Sequence, residues 1–171
     1  TSEELGKAFW SYDGPLELSP ERGRFALLYS LVENHSLIFN PAVARLALPD
    51  LGINSAGQYV SLFAPAVSYI VIPGYVIGKM FGVAQVGTYA VILIVALVNI
   101  FLIYTLAKRL GAGTTPAVLG ALTFAFATPA FPYATTLYQH HISVFLLLFS
   151  LGLLFSKNTF WKLTLVWFAC A

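Results

Sequence analysis

All seven acids of this chain, Glu3, Glu4, Asp13, Glu17, Glu21, Glu33 and Asp50, lie in its first fifty residues. A carboxylate that accepts a proton in catalysis can therefore come only from this end. Glu21 is the leading candidate. It stands in the first turn of an expected helix, where the positive end of the helix dipole favours the ionised form, with Arg22 and Arg24 close enough in sequence to hold an anion such as a phosphate. The competing reading is a solvated acid paired with Arg24 one turn on. Asp13, in an Asp-Gly-Pro turn, is the alternative base. Farther along, His140 and His141 mark the polar mouth of two apolar segments, where an imidazole could contact a phosphate or relay a proton. Adjacent helical residues point about 100° apart, so the two cannot share a metal. Lys79 closes an apolar run and reads either as a phosphate contact or as a snorkelling cation.

The elements that would position these groups follow from composition. Of 171 residues 58% are hydrophobic and 9% charged, against about 25% charged in a soluble domain, which excludes a water-soluble enzyme as the default. Residues 1–60 carry four bases and seven acids, net −3, and the rest carries five bases and no acid, net +5. The bases are scattered at segment ends, so no nucleic-acid partner is expected. The single cysteine, Cys170, excludes an intrachain disulfide. A chain that opens at Thr1 and stops at Ala171 inside an apolar run reads as a fragment, expected to be inactive by itself.

Ser19-Pro20-Glu21 predicts a helix start capped by Ser19, and Phe25, Leu28, Leu31 and Val32 recur at helical spacing as far as Glu33. Pro41 and Pro49 predict a largely irregular stretch over 37–60. Residues 62–78 form a short apolar run, juxtamembrane or re-entrant; spans are expected at about 85–107, 115–137 and 141–156, with another starting at 163–171. Asn99, inside a span, should face another helix. Tyr59, Tyr69, Tyr75, Tyr133 and Tyr138 suit an interfacial belt, and Lys108-Arg109 and Lys157 should share the cytoplasmic side, leaving residues 1–60 extracytoplasmic. The expected fold is thus all-α: a multi-pass helical bundle in the cell membrane, preceded by an outer loop with an amphipathic helix at 19–33.

The order of these features resembles polytopic membrane glycosyltransferases of the GT-C fold, related to the protein O-mannosyltransferases that use dolichyl-phosphate mannose. The resemblance rests on "SPERGRFALLYSLVENHSLIF", "GQYVSLFAPAVSYIVIPGYVIGKMFG", "IYTLAKRLG" and "FATPAFPYATTLYQHHISVF", over about residues 19–149. It implies an inverting transfer of a sugar from a polyprenyl-phosphate donor to a protein, lipid or glycan acceptor outside the membrane, without a cofactor or metal. The family's base is an acid of its first outer loop, which "ERGR" resembles; where many relatives have Asp-Glu, this chain has Glu21-Arg22. Glu21 would take the acceptor proton, and Arg22, Arg24, Lys79, His141 and His140 would contact the donor phosphate. A non-enzymatic membrane protein, such as a transporter subunit or assembly factor, is the alternative. Transport predicts ionisable groups within the spans, and 85–107 and 110–156 hold none but the two histidines.

Overall fold

The computed structural model describes residues 18–155, 161–162 and 164–166. The expectations for Asp13, Lys157 and most of the 163–171 span lie outside the described residues. Two compact units divide the chain between Val91 and Ile92.

The first unit opens with α1, Ser19–Glu33. Its N-cap is Leu18, extended at φ −94° and ψ 141°, and no side chain caps it. Ser19 is therefore the first helical residue and not the cap, and Pro20 fills a first-turn position that needs no donor. The helix ends at Asn34, after which His35 takes a positive φ of 49° and the Ser36 N–H returns to the Ser30 carbonyl at 3.2 Å. The chain then continues as β1 (Ile38–Phe39), α2 (Pro41–Ala47), β2 (Leu51–Ile53) and β3 (Tyr59–Ser61).

The stretch expected to be irregular is thus a small antiparallel sheet in the order β1-β3-β2, pairing Ile38 with Val60 and Gly52 with Val60, and the unit is not purely helical. The physical reason is local. Asn40 Oδ1 accepts from the Val43 N–H at 2.9 Å, so Pro41 starts a helix instead of breaking one. Asn54 Oδ1 accepts from the N–H groups of Ala56 and Gln58, at 3.0 and 2.9 Å, and Gly57 supplies a φ of 75°, which closes the β2–β3 hairpin. Strands of two or three residues are too short to show an alternating pattern. Ala26, Leu27, Phe39, Val43, Ala44, Leu46 and Ala47 make the core between α1, α2 and the sheet.

On its other side α1 packs against α3 (Ala66–Met80), with Phe25 and Leu28 buried and Val32 half-buried; Gly23 through Leu28 are buried without a break, so α1 is covered on several faces and is not the amphipathic helix its spacing predicts. Val67, Val71, Gly74, Tyr75 and Gly78 are the buried face of α3, at helical spacing. Fifteen residues span about 22 Å, short of a 30 Å hydrocarbon core. A Cβ built on Gly74 would overlap the carbonyl oxygen of Gly87, and one on Gly87 would overlap that of Gly74. The two backbones therefore touch here, which only glycine permits.

Gly87 belongs to α4 (Ala84–Arg109), whose residues from Ile92 onward enter the second unit. α4 is long and apolar enough to cross a membrane. Its 26 residues rise about 39 Å, and Leu93, Ile94, Leu97 and Phe101 leave large apolar side chains exposed. α5 (Thr114–Phe126), the single turn α6 (Ala130–Tyr133) and α7 (His140–Leu154) follow. The expected span at 115–137 is not one helix. It stops at Phe126 because Pro129 and Pro132 cannot donate to a continuing ladder, while Thr128 Oγ1 donates to the Phe124 carbonyl at 2.6 Å and accepts from the Ala130 N–H at 3.1 Å. Within this unit Asn99 meets His141, and Arg109 meets Gly152. Two contacts with nearly the same sequence offset mean that α4 and α7 run parallel.

Candidate functional site

The first turns of α1 gather the charges that matter. Glu21 is 3% exposed and Arg24 is 5% exposed. The solvated reading of this pair is therefore wrong: both groups are taken out of bulk water, where a carboxylate is costly unless it is engaged. The Arg24 guanidinium lies over the Phe63 ring, 4.3 Å from its centroid, and its Nη1 reaches the Pro20 carbonyl at 3.5 Å. Ser68 Oγ of α3 donates to the Arg24 carbonyl at 3.0 Å, which fixes the turn that carries the guanidinium. Arg22, less buried, donates from Nη2 to the Leu48 carbonyl at 3.3 Å.

Asp50 and Phe63, neither of which the sequence singled out as site residues, border the same turn. A Cβ on Gly23 would lie 2.8 Å from Phe63 Cε2 and 3.6 Å from Asp50 Cβ, so the absence of a side chain at 23 is what lets the Phe63 ring come this close, with Asp50 at ordinary contact distance. Asp50 Oδ2 is buried and accepts no hydrogen bond. An acceptor in that condition marks a place for a donor group of a ligand or for water. The signal for Asp50 was its position as one of only seven acids; nothing in its spacing tied it to Glu21 before the hairpin brought residue 50 back to α1.

Lys79 has other work. Its Nζ donates to Glu33 Oε1 at 2.6 Å and to Oε2 at 2.7 Å, and Tyr75 OH donates to Glu33 Oε1 at 3.0 Å. The Lys79 hydrogen bond holds the Glu33 carboxyl below the usual range, opposed by partial burial and helped by Tyr75. This ties the last turn of α1 to the last turn of α3 and gives Lys79 a partner within the fold.

In the second unit His141 is 3% exposed and, with His140, lines a cavity of about 190 Å³ beside Thr128, Pro129 and Tyr133. Its Nε2 lies 2.9 Å from the Ala130 carbonyl oxygen, which can only accept, so Nε2 carries the proton and Nδ1 accepts from Asn99 Nδ2 at 3.3 Å. The same Asn99 amide donates to the His141 carbonyl at 2.8 Å. Asn99 thus faces another helix as its polarity implies, and both ring nitrogens of His141 are engaged within the protein. His140 is exposed and packs on Tyr133, ring centroids 4.2 Å apart, with Tyr138 at 5.7 Å. The two histidines point apart, as their adjacency requires.

One turn of α1 carries a buried carboxylate and two guanidinium groups, with Asp50 bordering that turn, while Lys79 is paired with Glu33 and His141 with Asn99. Such a set can take a proton from a hydroxyl at Glu21 and stabilise an anion at Arg22 and Arg24. Comparisons with family models, with curated proteins and with solved structures return no match to this chain.

Proposed function

We propose that the chain is part of a GT-C-type membrane glycosyltransferase that moves a sugar from a polyprenyl-phosphate donor to a hydroxyl of a protein, lipid or glycan acceptor. The observation that carries this reading is the buried pair of Glu21 and Arg24 in one turn of α1. In the reaction the acceptor oxygen bonds to the anomeric carbon, the bond from that carbon to the donor phosphate oxygen breaks, and the hydroxyl proton goes to Glu21. The phosphate leaves as an anion and needs no acid, only the cationic field of Arg22 and Arg24. Lys79, paired with Glu33, and His141, bonded to Asn99, rank behind the two arginines as phosphate contacts; His140 is exposed and ranks with them.

The supporting frame is a multi-pass protein of the cell membrane. Residues 1–60 lie outside, and the Lys108-Arg109 end of α4 faces the cytoplasm. The parallel course of α4 and α7 supports two crossings between their like ends. Turnover by the purified full-length protein tests the chemistry. A missing general base costs about 10²–10⁴-fold, so Glu21→Gln should lower kcat by that much with donor KM nearly unchanged. Arg24→Ala should raise donor KM instead. Unchanged kcat in Glu21→Gln with collapse in Asp50→Asn or Asp13→Asn would move the base elsewhere in the outer loop.

A further inference from the structure

At the Arg109 end of the second unit a cavity of about 350 Å³ opens between α4 and α7. Its walls include Leu102, Leu106, Phe149 and Leu153, and its two cationic residues are Arg109 and Lys162. Hydrocarbon walls with two cations and, among the described residues, no acid suit a ligand that is apolar along one part and anionic at another. Arg109 is exposed and donates from Nη1 to the Gly152 carbonyl at 2.7 Å, which holds the guanidinium at the cavity. That bond uses one N–H of a group that carries five in a fork suited to phosphate oxygens. Trp161, 72% exposed, stands next to Lys162 in sequence, the kind of aromatic that sits at headgroup level.

We propose that this cavity binds one anionic glycerophospholipid from the leaflet at the Lys108-Arg109 end of α4, with its phosphate on Arg109 and Lys162 and the start of one acyl chain against Leu102, Leu106 and Phe149. Basic pockets between membrane helices select anionic headgroups in this way. The site goes beyond the transferase reading: it needs only that α4 crosses the bilayer. It also differs from a diffuse basic belt, because Lys108 sits at the same helix end yet is outside the cavity, its Nζ 3.4 Å from Thr114 Oγ1.

The experiment uses the full-length protein in detergent micelles carrying phosphatidylglycerol or phosphatidylcholine, and follows both the melting temperature and the phosphatidylglycerol retained on the protein. Phosphatidylglycerol should raise the melting temperature more than phosphatidylcholine does. Arg109→Gln and Lys162→Gln should each weaken its retention about fivefold, whereas Lys108→Gln should leave it unchanged. Gly152→Leu keeps both cations and fills the cavity. A Cβ there meets nothing nearer than Arg109 Nη1 at 3.9 Å, so the variant should fold and lose the lipid. Equal effects of the two lipids, a loss in Lys108→Gln as large as in Lys162→Gln, or normal retention by Gly152→Leu would each overturn the proposal. Should Arg109→Gln fail to fold, Lys162→Gln and Gly152→Leu still decide it.

Discussion

The side-chain amide of Asn99 closes on His141 twice, on its carbonyl at 2.8 Å and on its ring Nδ1 at 3.3 Å, so that one residue of α4 holds both the backbone and the ring of the second residue of α7. Asn99 is fully buried. In an apolar surrounding such a pair is retained because either partner alone would be left with unmet polar groups. A double-mutant cycle of Asn99→Ala and His141→Ala, read by unfolding of the full-length protein, should give a coupling of about 1 kcal/mol, within the range measured for hydrogen bonds between membrane helices. Additive losses would mean that the two residues act independently.

The contact of Gly74 with Gly87 is the least forgiving in the first unit, since a methyl group at either position meets the backbone of the other, and at Gly74 the Val91 side chain as well. Gly87→Ala should separate α3 from α4 and lower the melting temperature by an amount corresponding to roughly 1–3 kcal/mol, the usual cost of overpacking. Gly120, in the interior of α5 with open space around it, is the control. Gly120→Ala should be neutral or stabilising by up to about 1 kcal/mol, because alanine loses less backbone entropy.

The Glu33–Lys79 pair predicts how stability depends on pH. Its Glu33 carboxyl titrates lower in the folded protein than the ordinary value of 4.5, chiefly through the Lys79 hydrogen bond. The unfolded chain therefore binds the proton first as acid is added. The contribution is fully present above the ordinary glutamate range and disappears as pH falls through the lowered folded value. Both side chains are partly exposed, so the effect is small and weakens in salt. The melting temperature of Glu33→Gln should lie below that of the native chain at pH 7 and converge with it as the pH falls through the lowered folded value of Glu33; a gap that persists after Glu33 is protonated would assign the loss to packing instead.

How much of this was legible beforehand depended on the length of each signal. The start and end of the 15-residue α1 and the charge-free run of the 26-residue α4, closed by Lys108-Arg109, could be read from spacing, but not that α1 would be covered on several faces, with Gly23 through Leu28 all buried. The sheet could not, because its pairing of Ile38 with Val60 joins residues 22 apart through strands too short to alternate. Asp50 and Phe63 joined the site for the same reason. The partner of Lys79 was hidden as well: Glu33 lies 46 residues away, and only the packing of α1 on α3 brings the two together. The glycine contact had a visible trace in Gly74-Tyr75-Val76-Ile77-Gly78, the spacing of small residues that lets helices approach.

Gly23 gives a test that separates the site from the stability of the fold. Alanine at 23 would press on Phe63 Cε2 at 2.8 Å, the far end of a side chain that can move, and would touch Asp50 Cβ at an ordinary 3.6 Å. The ring gives way, and alanine's helix propensity, about 0.5–1 kcal/mol better than glycine's, offsets the adjustment. Melting should therefore change little. Phe63, however, is the surface on which the Arg24 guanidinium rests, at 4.3 Å from the ring centroid. Moving it releases a contact of about 1 kcal/mol and lets the guanidinium turn away from the ring. If Arg24 holds the donor phosphate, Gly23→Ala should raise donor KM by about fivefold with kcat nearly unchanged, and Phe63→Ala, which removes the stacking surface outright, should do the same. A Gly23→Ala protein with a native melting temperature and native donor KM would show that the Arg24–Phe63 stack serves packing alone, and would shift the anion contact to Arg22.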